Sequence, residues 1–206
     1  MADFSLLILD WYQRSKRELP WRNTINPYFI WLSEIILQQT RVDQGLKYYL
    51  KFTEHYPTIG DLASASEQDV LANWQGLGYY SRARNLHATA KHLVQHNEGK
   101  FPNTYDEIIK LKGIGSYTAA AISSFCFQEH KAVLDGNVFR VLSRIHDIDL
   151  AIDSTTGKKY FAELAQQLLP EKQSDTYNQA IMEFGALQCV PKNPNCTECV
   201  LNEHCE

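Results

Sequence analysis

An all-α fold built as two helical lobes is what this sequence predicts, and three observations predict it. Apolar residues recur at helical spacing along most of the chain, no segment alternates convincingly as a strand does, and glycine or proline turns punctuate the periodic stretches. The 206 residues are 44% hydrophobic and 21% charged, ordinary globular composition with room for one core or two small lobes. No apolar run approaches the roughly 20 residues needed to span a bilayer. The opening Met1-Ala2-Asp3-Phe4-Ser5 lacks the basic-then-apolar pattern of a secretion signal, so a cytosolic or nuclear setting is expected and a membrane is not.

The elements follow in order. Residues 3–17 place Phe4, Leu7, Ile8, Trp11 and Tyr12 on one helix face, and Leu19-Pro20-Trp21 interrupts them. Asn26-Pro27 opens a second helix through Leu37, with proline at the first helical position. A third covers 42–55 before Tyr56-Pro57, and 61–74 reads as one or two short helices ended by Gly76 and Gly78. Residues 81–96 form another, and 99–102 a loop. Leu111-Lys112-Gly113-Ile114-Gly115 is a tight turn, followed by a helix of small residues over 116–127. Asp135-Gly136-Asn137 opens a helix to His146, and 155–169 and 175–189 are the last two.

Charge and cysteine narrow the chemistry. The 20 Lys+Arg and 24 Asp+Glu leave a net charge of -4, which argues against a general nucleic-acid coat without excluding a local basic face. Arg14, Lys16, Arg17 and Arg22 cluster early, and Arg82, Arg84 and Lys91 lie on one later stretch; taken alone they read as solvated helix surface. Four of the five cysteines fall near the end as Cys189-x6-Cys196-x2-Cys199-x5-Cys205, while Cys126 sits in an apolar segment as a small core residue. Disulfides do not suit a cytosolic chain this poor in cysteine elsewhere. Zinc sites usually show two short cysteine pairs, whereas here only one pair is short, and four thiolates along one uneven loop suit an iron–sulfur cubane better.

The turn at Gly113 and Gly115 permits unusual backbone angles and leaves no Cβ in the way of a ligand. Amides opening the next helix can then hold a phosphate oxygen without a positive side chain, although an ordinary inter-helix turn has the same pattern. Glu34 lies among Ile30, Trp31, Leu32, Ile35, Ile36 and Leu37. It either faces solvent or is buried, where ionisation is costly and a proton-donor role is favoured. Asp135 reads equally as a helix N-cap. Gln38-Gln39 and Gly76-Leu77-Gly78-Tyr79-Tyr80 carry amides and tyrosines suited to wedging into a base stack, or simply a helix end and a packed turn.

In combination these features resemble a known family. Leu19-Pro20-Trp21-Arg22, Trp31-Leu32-Ser33-Glu34-Ile35-Ile36-Leu37-Gln38-Gln39-Thr40, Gly76-Leu77-Gly78-Tyr79-Tyr80-Ser81-Arg82-Ala83-Arg84-Asn85-Leu86-His87, Leu134-Asp135-Gly136-Asn137-Val138 and the four-cysteine loop are similar to the helix-hairpin-helix (endonuclease III-like) DNA glycosylase superfamily. Within it the match is to the catalytic region of the adenine-specific, MutY-like branch, over nearly all 206 residues. The resemblance implies a six-helix barrel lobe with the hairpin at 27–129, and a second lobe of 1–26 and 130–206 with a [4Fe–4S] loop at 189–205, flanking a DNA cleft. It implies that Glu34 protonates the adenine ring and that Asp135 stabilises the sugar cation or its covalent adduct, as paired carboxylates do in sugar hydrolases. Asn137 and Tyr117 would buttress them. Gln39 and Tyr79, with Gln38, would wedge beside the orphaned partner base, and Gly113 and Gly115 would hold a phosphate. Arg17, Trp21, Arg22, Leu37, Val42 and Glu183 would surround the extruded adenine, and Cys189, Cys196, Cys199 and Cys205 would bind the cluster.

Two departures bear on activity. Relatives that cut the strand carry an imine-forming lysine in the hairpin helix, and here Tyr117 stands at that position, which implies a monofunctional enzyme. The sequence stops one residue after Cys205, whereas the adenine-specific branch normally continues into a domain that recognises 8-oxoguanine, which leaves the opposite-base preference open. The expected partner is double-stranded DNA with an adenine mispaired with 8-oxoguanine or guanine, met by a monomer in a bacterial cytosol, near the nucleoid. A thymine or uracil mismatch glycosylase on the same scaffold, and an inert iron–sulfur DNA-binding module, are the alternatives; retention of both Glu34 and Asp135 argues against the inert one.

Overall fold

The structure, a computed structural model, describes residues 2–205, and among them every regular element is helical. The chain divides into two compact units, one of residues 1–18 with 128–206 and one of Leu19–Phe127. The division expected at residue 27 therefore falls inside the second unit. The segment before it forms a short 3-10 turn, Pro20–Arg22, whose buried Trp21 meets the Tyr49 ring edge-on at 5.1 Å.

The second unit holds α2 (Pro27–Leu37), α3 (Val42–His55), α4 (Ile59–Ser64), α5 (Glu67–Trp74), α6 (Ser81–His96), α7 (Tyr105–Ile108) and α8 (Ser116–Phe127). Helix α2 starts where Asn26 accepts a hydrogen bond from Tyr28 N at 3.0 Å and Pro27 takes a position whose N–H would lack a partner. It is apolar on all sides and is buried from Ile30 through Ile36, as a helix without a polar face must be. Small residues Ala119, Ala120, Ala121, Ser123 and Ser124 are buried on α8, which packs against α2. Phe52, Trp74, Leu62, Leu86 and Ile108 complete the core, with Phe52 and Trp74 edge-on at 5.7 Å. A reciprocal cap at Thr58 and Asp61 starts α4, and Ser66 accepts from Asp69 N to start α5. Helix α7 has a single turn, too short for its periodicity to show in the sequence.

The first unit packs α1 (Ala2–Ser15) on α11 (Ser174–Leu187), α11 on α9 (Gly136–Ile145) and α10 (Thr155–Leu168) on α9. Ile8, Val141, Leu142, Phe161, Ile181 and Phe184 form its core, with Trp11 edge-on to Phe184 at 5.0 Å. Helices α9 and α11 cross at Gly185. A Cβ there would lie 2.7 Å from Asn137 Cβ and 2.9 Å from Asn137 O, closer than the backbone of Asn137 can yield. Replacing Gly185 by alanine is expected to destabilise the chain by about 1–3 kcal/mol, the usual cost of overpacking. Denaturant melts of Gly185→Ala check this, and an unchanged midpoint contradicts the close crossing.

Candidate functional site

In the second unit, Glu34 is buried, with 8% of its surface exposed. Of the two readings its sequence allows, burial is the one realised. Cys126 on α8 is its neighbour, and burial, with a smaller contribution from the negative charge of Glu34, pushes that thiol up to about 12. Trp21 is buried, and Arg22, Leu37 and Val42 are half-buried in the same unit. Leu37 and Val42 flank the turn that joins α2 to α3, where Leu37 closes over Gly45.

That turn carries Gln38 and Gln39. The Gln38 side chain donates to Thr118 Oγ1 at 3.5 Å, whereas Gln39 is exposed and has a φ of +56°. Tyr79, in the loop before α6, is 66% exposed with a φ of +46°. Left-handed backbone is uncommon for residues with a side chain, and it persists only where the surroundings enforce it.

Arg82, read from the sequence as solvated surface, contacts carbonyls in both segments. Its Nη1 donates to Ile35 O at 2.9 Å, Ile36 O at 3.2 Å and Gln38 O at 2.7 Å. Its Nη2 reaches Leu77 O at 3.3 Å and Gly78 O at 3.5 Å. The signal was present in the pattern, since Arg82, Leu86, Thr89, Ala90 and Leu93 share the inward stripe of α6. Arg84 and Lys91 are exposed, as expected.

The hairpin is held from α6. Thr89 Oγ1 donates to Lys112 O at 2.7 Å, and Ile114 N bonds Leu111 O at 3.1 Å. The two glycines differ. Gly113 has a φ of +79°, and a Cβ on it would meet Asn85 Cβ at 2.6 Å, so this position is demanded by the fold. Gly115 needs no unusual angle and has open space where its Cβ would be, so its lack of a side chain leaves the start of α8 accessible. Tyr117 lies in the first turn of α8 and is half-buried.

In the first unit, Asp135 caps α9. Its Oδ1 accepts from Val138 N and its Oδ2 from Asn137 Nδ2, both at 2.8 Å. Burial raises its proton affinity, and the hydrogen bonds from Val138 and Asn137 and the charge of Arg140 oppose that rise. Arg140 then donates to Asn137 Oδ1 at 2.8 Å, Gly185 O at 2.6 Å and Cys189 O at 2.8 Å. One guanidinium thus ties the residues beside Asp135 to the first of the four cysteines. Arg17 and Glu183 also meet: Arg17 N and Nε donate to Glu183 Oε1 at 2.9 Å each, and Nη2 to Oε2 at 2.6 Å. Glu183 is 1% exposed, and its hydrogen bond raises the proton affinity of Arg17.

The four expected metal-binding cysteines come together in the same unit. Cys189, Cys196, Cys199 and Cys205 line a cavity of about 170 Å³ with Arg144 and Leu201. Among the described residues no three His, Cys, Asp or Glu side chains converge as a site for a single ion. Thiols arranged around a cavity suit a polynuclear cluster better than one zinc. Arg144 Nη1 and Leu201 N point at Cys189 Sγ and Cys199 Sγ, both at 3.4 Å, as donors to thiolates would. Burial chiefly, and repulsion from the neighbouring thiolates, raise Cys199 and Cys205, a cost that a positive metal centre offsets. Arg140 and Arg144, one helical turn apart, were not singled out from the sequence. Two arginines at this spacing on a short helix without an acidic partner were the available signal.

The Arg17 pair yields a stability prediction. Arg17→Ala removes the guanidinium from a buried carboxylate and leaves it the backbone bond from residue 17, which costs about 3 kcal/mol, the low end for a broken buried pair. Chemical denaturation at neutral pH measures it, and a loss under about 1 kcal/mol would place the pair among weak surface bridges.

Comparison with known proteins accords with this arrangement. Residues 189–205 match the iron–sulfur binding domain of endonuclease III. An adenine DNA glycosylase of Buchnera aphidicola is 43% identical over 204 residues, 98% of this chain and 58% of the relative. The human adenine DNA glycosylase is 41% identical over 207 residues, 96% of this chain and 38% of the relative. The chain thus spans less than two thirds of the length of these relatives. A thermostable thymine-DNA glycosylase of known structure superimposes with a TM-score of 0.90 at 29% identity, over 98% of this chain and 94% of that one. A trapped endonuclease III–DNA intermediate shares the fold, with a TM-score of 0.81 at 22% identity over 97% and 91% of the two chains. Residues 32–171 match the family model, and the chain belongs to the HhH-GPD superfamily of base excision DNA repair proteins.

Proposed function

We propose that this chain is a monofunctional DNA glycosylase that hydrolyses the N-glycosidic bond of adenine mispaired with 8-oxoguanine or guanine. The observation that carries the reading is the burial of Glu34 in a helix whose other buried residues, apart from Ser33, are apolar or aromatic. In its protonated form Glu34 delivers a proton to the adenine ring as the C–N bond breaks. Asp135, its oxygens oriented by Val138 N and Asn137 Nδ2, carries the negative charge that offsets the developing sugar cation. Water then adds to the sugar carbon. The adenine assignment rests on the curated relatives.

The remaining roles follow the same reading. The amides beside Gly113 and Gly115 receive a DNA phosphate, and Gln38, Gln39 and Tyr79 enter the duplex where the base leaves. Trp21, Arg22, Leu37 and Val42 of the second unit, and Arg17 and Glu183 of the first, are the residues assigned to contact with the adenine base. Tyr117 stands where strand-cutting relatives carry a lysine, so no imine forms there and the backbone stays intact. The four cysteines hold a [4Fe–4S] cluster, whose bonds to the thiolates cross-link a loop with little helix of its own. The chain acts as a monomer on double-stranded DNA in the cytosol.

Glu34→Gln is expected to lower single-turnover base release from an A:G duplex by about 10²–10⁴-fold, the range for a lost general acid, with duplex affinity little changed. Near-normal release would remove Glu34 from the role. The second test is a pH profile. Burial already lifts Asp135 above the ordinary carboxylate range, so release falls on the acid side as Asp135 takes up a proton. Asn137→Ala removes a donor that favours the charged form, and the acid limb of the profile moves to higher pH. A limb that stays put or moves down contradicts the assignment.

A further inference from the structure

We propose that Arg82 is the positioning residue that sets the backbone of Gln39 and Tyr79 before DNA arrives; this rests on the reading above that these two side chains enter the duplex. The geometry is specific to that task. Arg82 Nη1 bonds Gln38 O at 2.7 Å and Nη2 lies 3.5 Å from Gly78 O. Each carbonyl belongs to the peptide group that supplies the nitrogen of the residue with positive φ, Gln39 in one case and Tyr79 in the other. Fixing a peptide plane fixes one side of the φ rotation. One guanidinium therefore holds both left-handed turns, which lie 40 positions apart in the chain.

The group is itself held in place. Its central carbon lies 5.1 Å from the centre of the Trp74 ring and 5.7 Å from that of Tyr79. Trp74 Nε1 also donates to Gly78 O at 2.9 Å. Further bonds to Ile35 O and Ile36 O cap the end of the helix that carries Glu34. With both Nη atoms engaged by carbonyls, Arg82 serves the protein interior rather than a phosphate. A lysine keeps the charge but lacks the planar fork whose two Nη atoms here serve carbonyls of different segments.

Arg82→Lys and Arg82→Gln in the full chain provide the test. The duplex carries 2-aminopurine in place of adenine opposite guanine, and stopped-flow fluorescence reports its unstacking. Glu34→Gln keeps the fluorescence rise, since it lacks only the proton donor. Both Arg82 variants lose most of the rise, and adenine release falls about 10–100-fold, as expected for a small misplacement of a positioned group. In a Gln39→Ala/Tyr79→Ala background the same Arg82 changes have little further effect on the fluorescence rise, which a general loss of stability would not produce. Trp74→Phe, which keeps a ring in the core but removes one donor to Gly78 O and alters the face that Arg82 stacks on, lowers the rise in the same direction, and an unchanged rise there contradicts the role of this contact set. A full rise in Arg82→Lys, or an additive loss in the double-alanine background, overturns the proposal. A wild-type chain that neither unstacks 2-aminopurine nor releases adenine overturns the glycosylase reading and the proposal with it.

Discussion

A helix buried along its length must find acceptors and donors for its ends inside the protein, and α2 is such a helix. Ile30 through Ile36 are all buried, so water cannot satisfy the carbonyls of its last turn. The guanidinium of Arg82 does so, bonding Ile35 O, Ile36 O and Gln38 O and then reaching across to Leu77 O and Gly78 O. The two left-handed turns that follow from those carbonyls depend on this one contact set. Solving the helix-end problem with a side chain from another element also joins the two loops that carry Gln39 and Tyr79.

The first unit uses arginine in the same manner. Arg17 meets the buried Glu183, Arg140 links Asn137 to Gly185 O and Cys189 O, and Arg144 reaches Val190 O and Pro191 O. The C-terminal loop has no regular structure beyond a short 3-10 turn, so its carbonyls need these partners as much as the thiols need iron. A net charge of -4 gives no hint of this. Several of the arginines are occupied internally, and recognition of a polyanion would fall to backbone amides near Gly113 and Gly115, for which net charge is no guide.

Much of the fold was legible because it rests on local physics. Proline at the start of α2, the Asp135 cap of α9 and the glycine turn before α8 are short-range signals, and each marks the element it was expected to mark. Helix α7 was not legible, since four residues carry no period. Among site residues, the sequence could pose the question of Glu34 but not answer it, because burial of one carboxylate depends on what packs against α2 from α8. Arg82 was misread for a related reason: a charged residue on the inward stripe of α6 looks like a boundary of that stripe until its acceptors, more than 40 residues earlier in the chain, are in place. Gly113 and Gly115 looked alike in sequence, yet one is required by Asn85 and the other is open.

The central claim, that these buried and oriented groups release adenine, is tested most directly by single-turnover base release on four duplexes bearing A:8-oxoguanine, A:G, T:G and U:G pairs. The account predicts loss of adenine from the first two, with thymine and uracil left in place. Release of thymine or uracil with adenine untouched would contradict it.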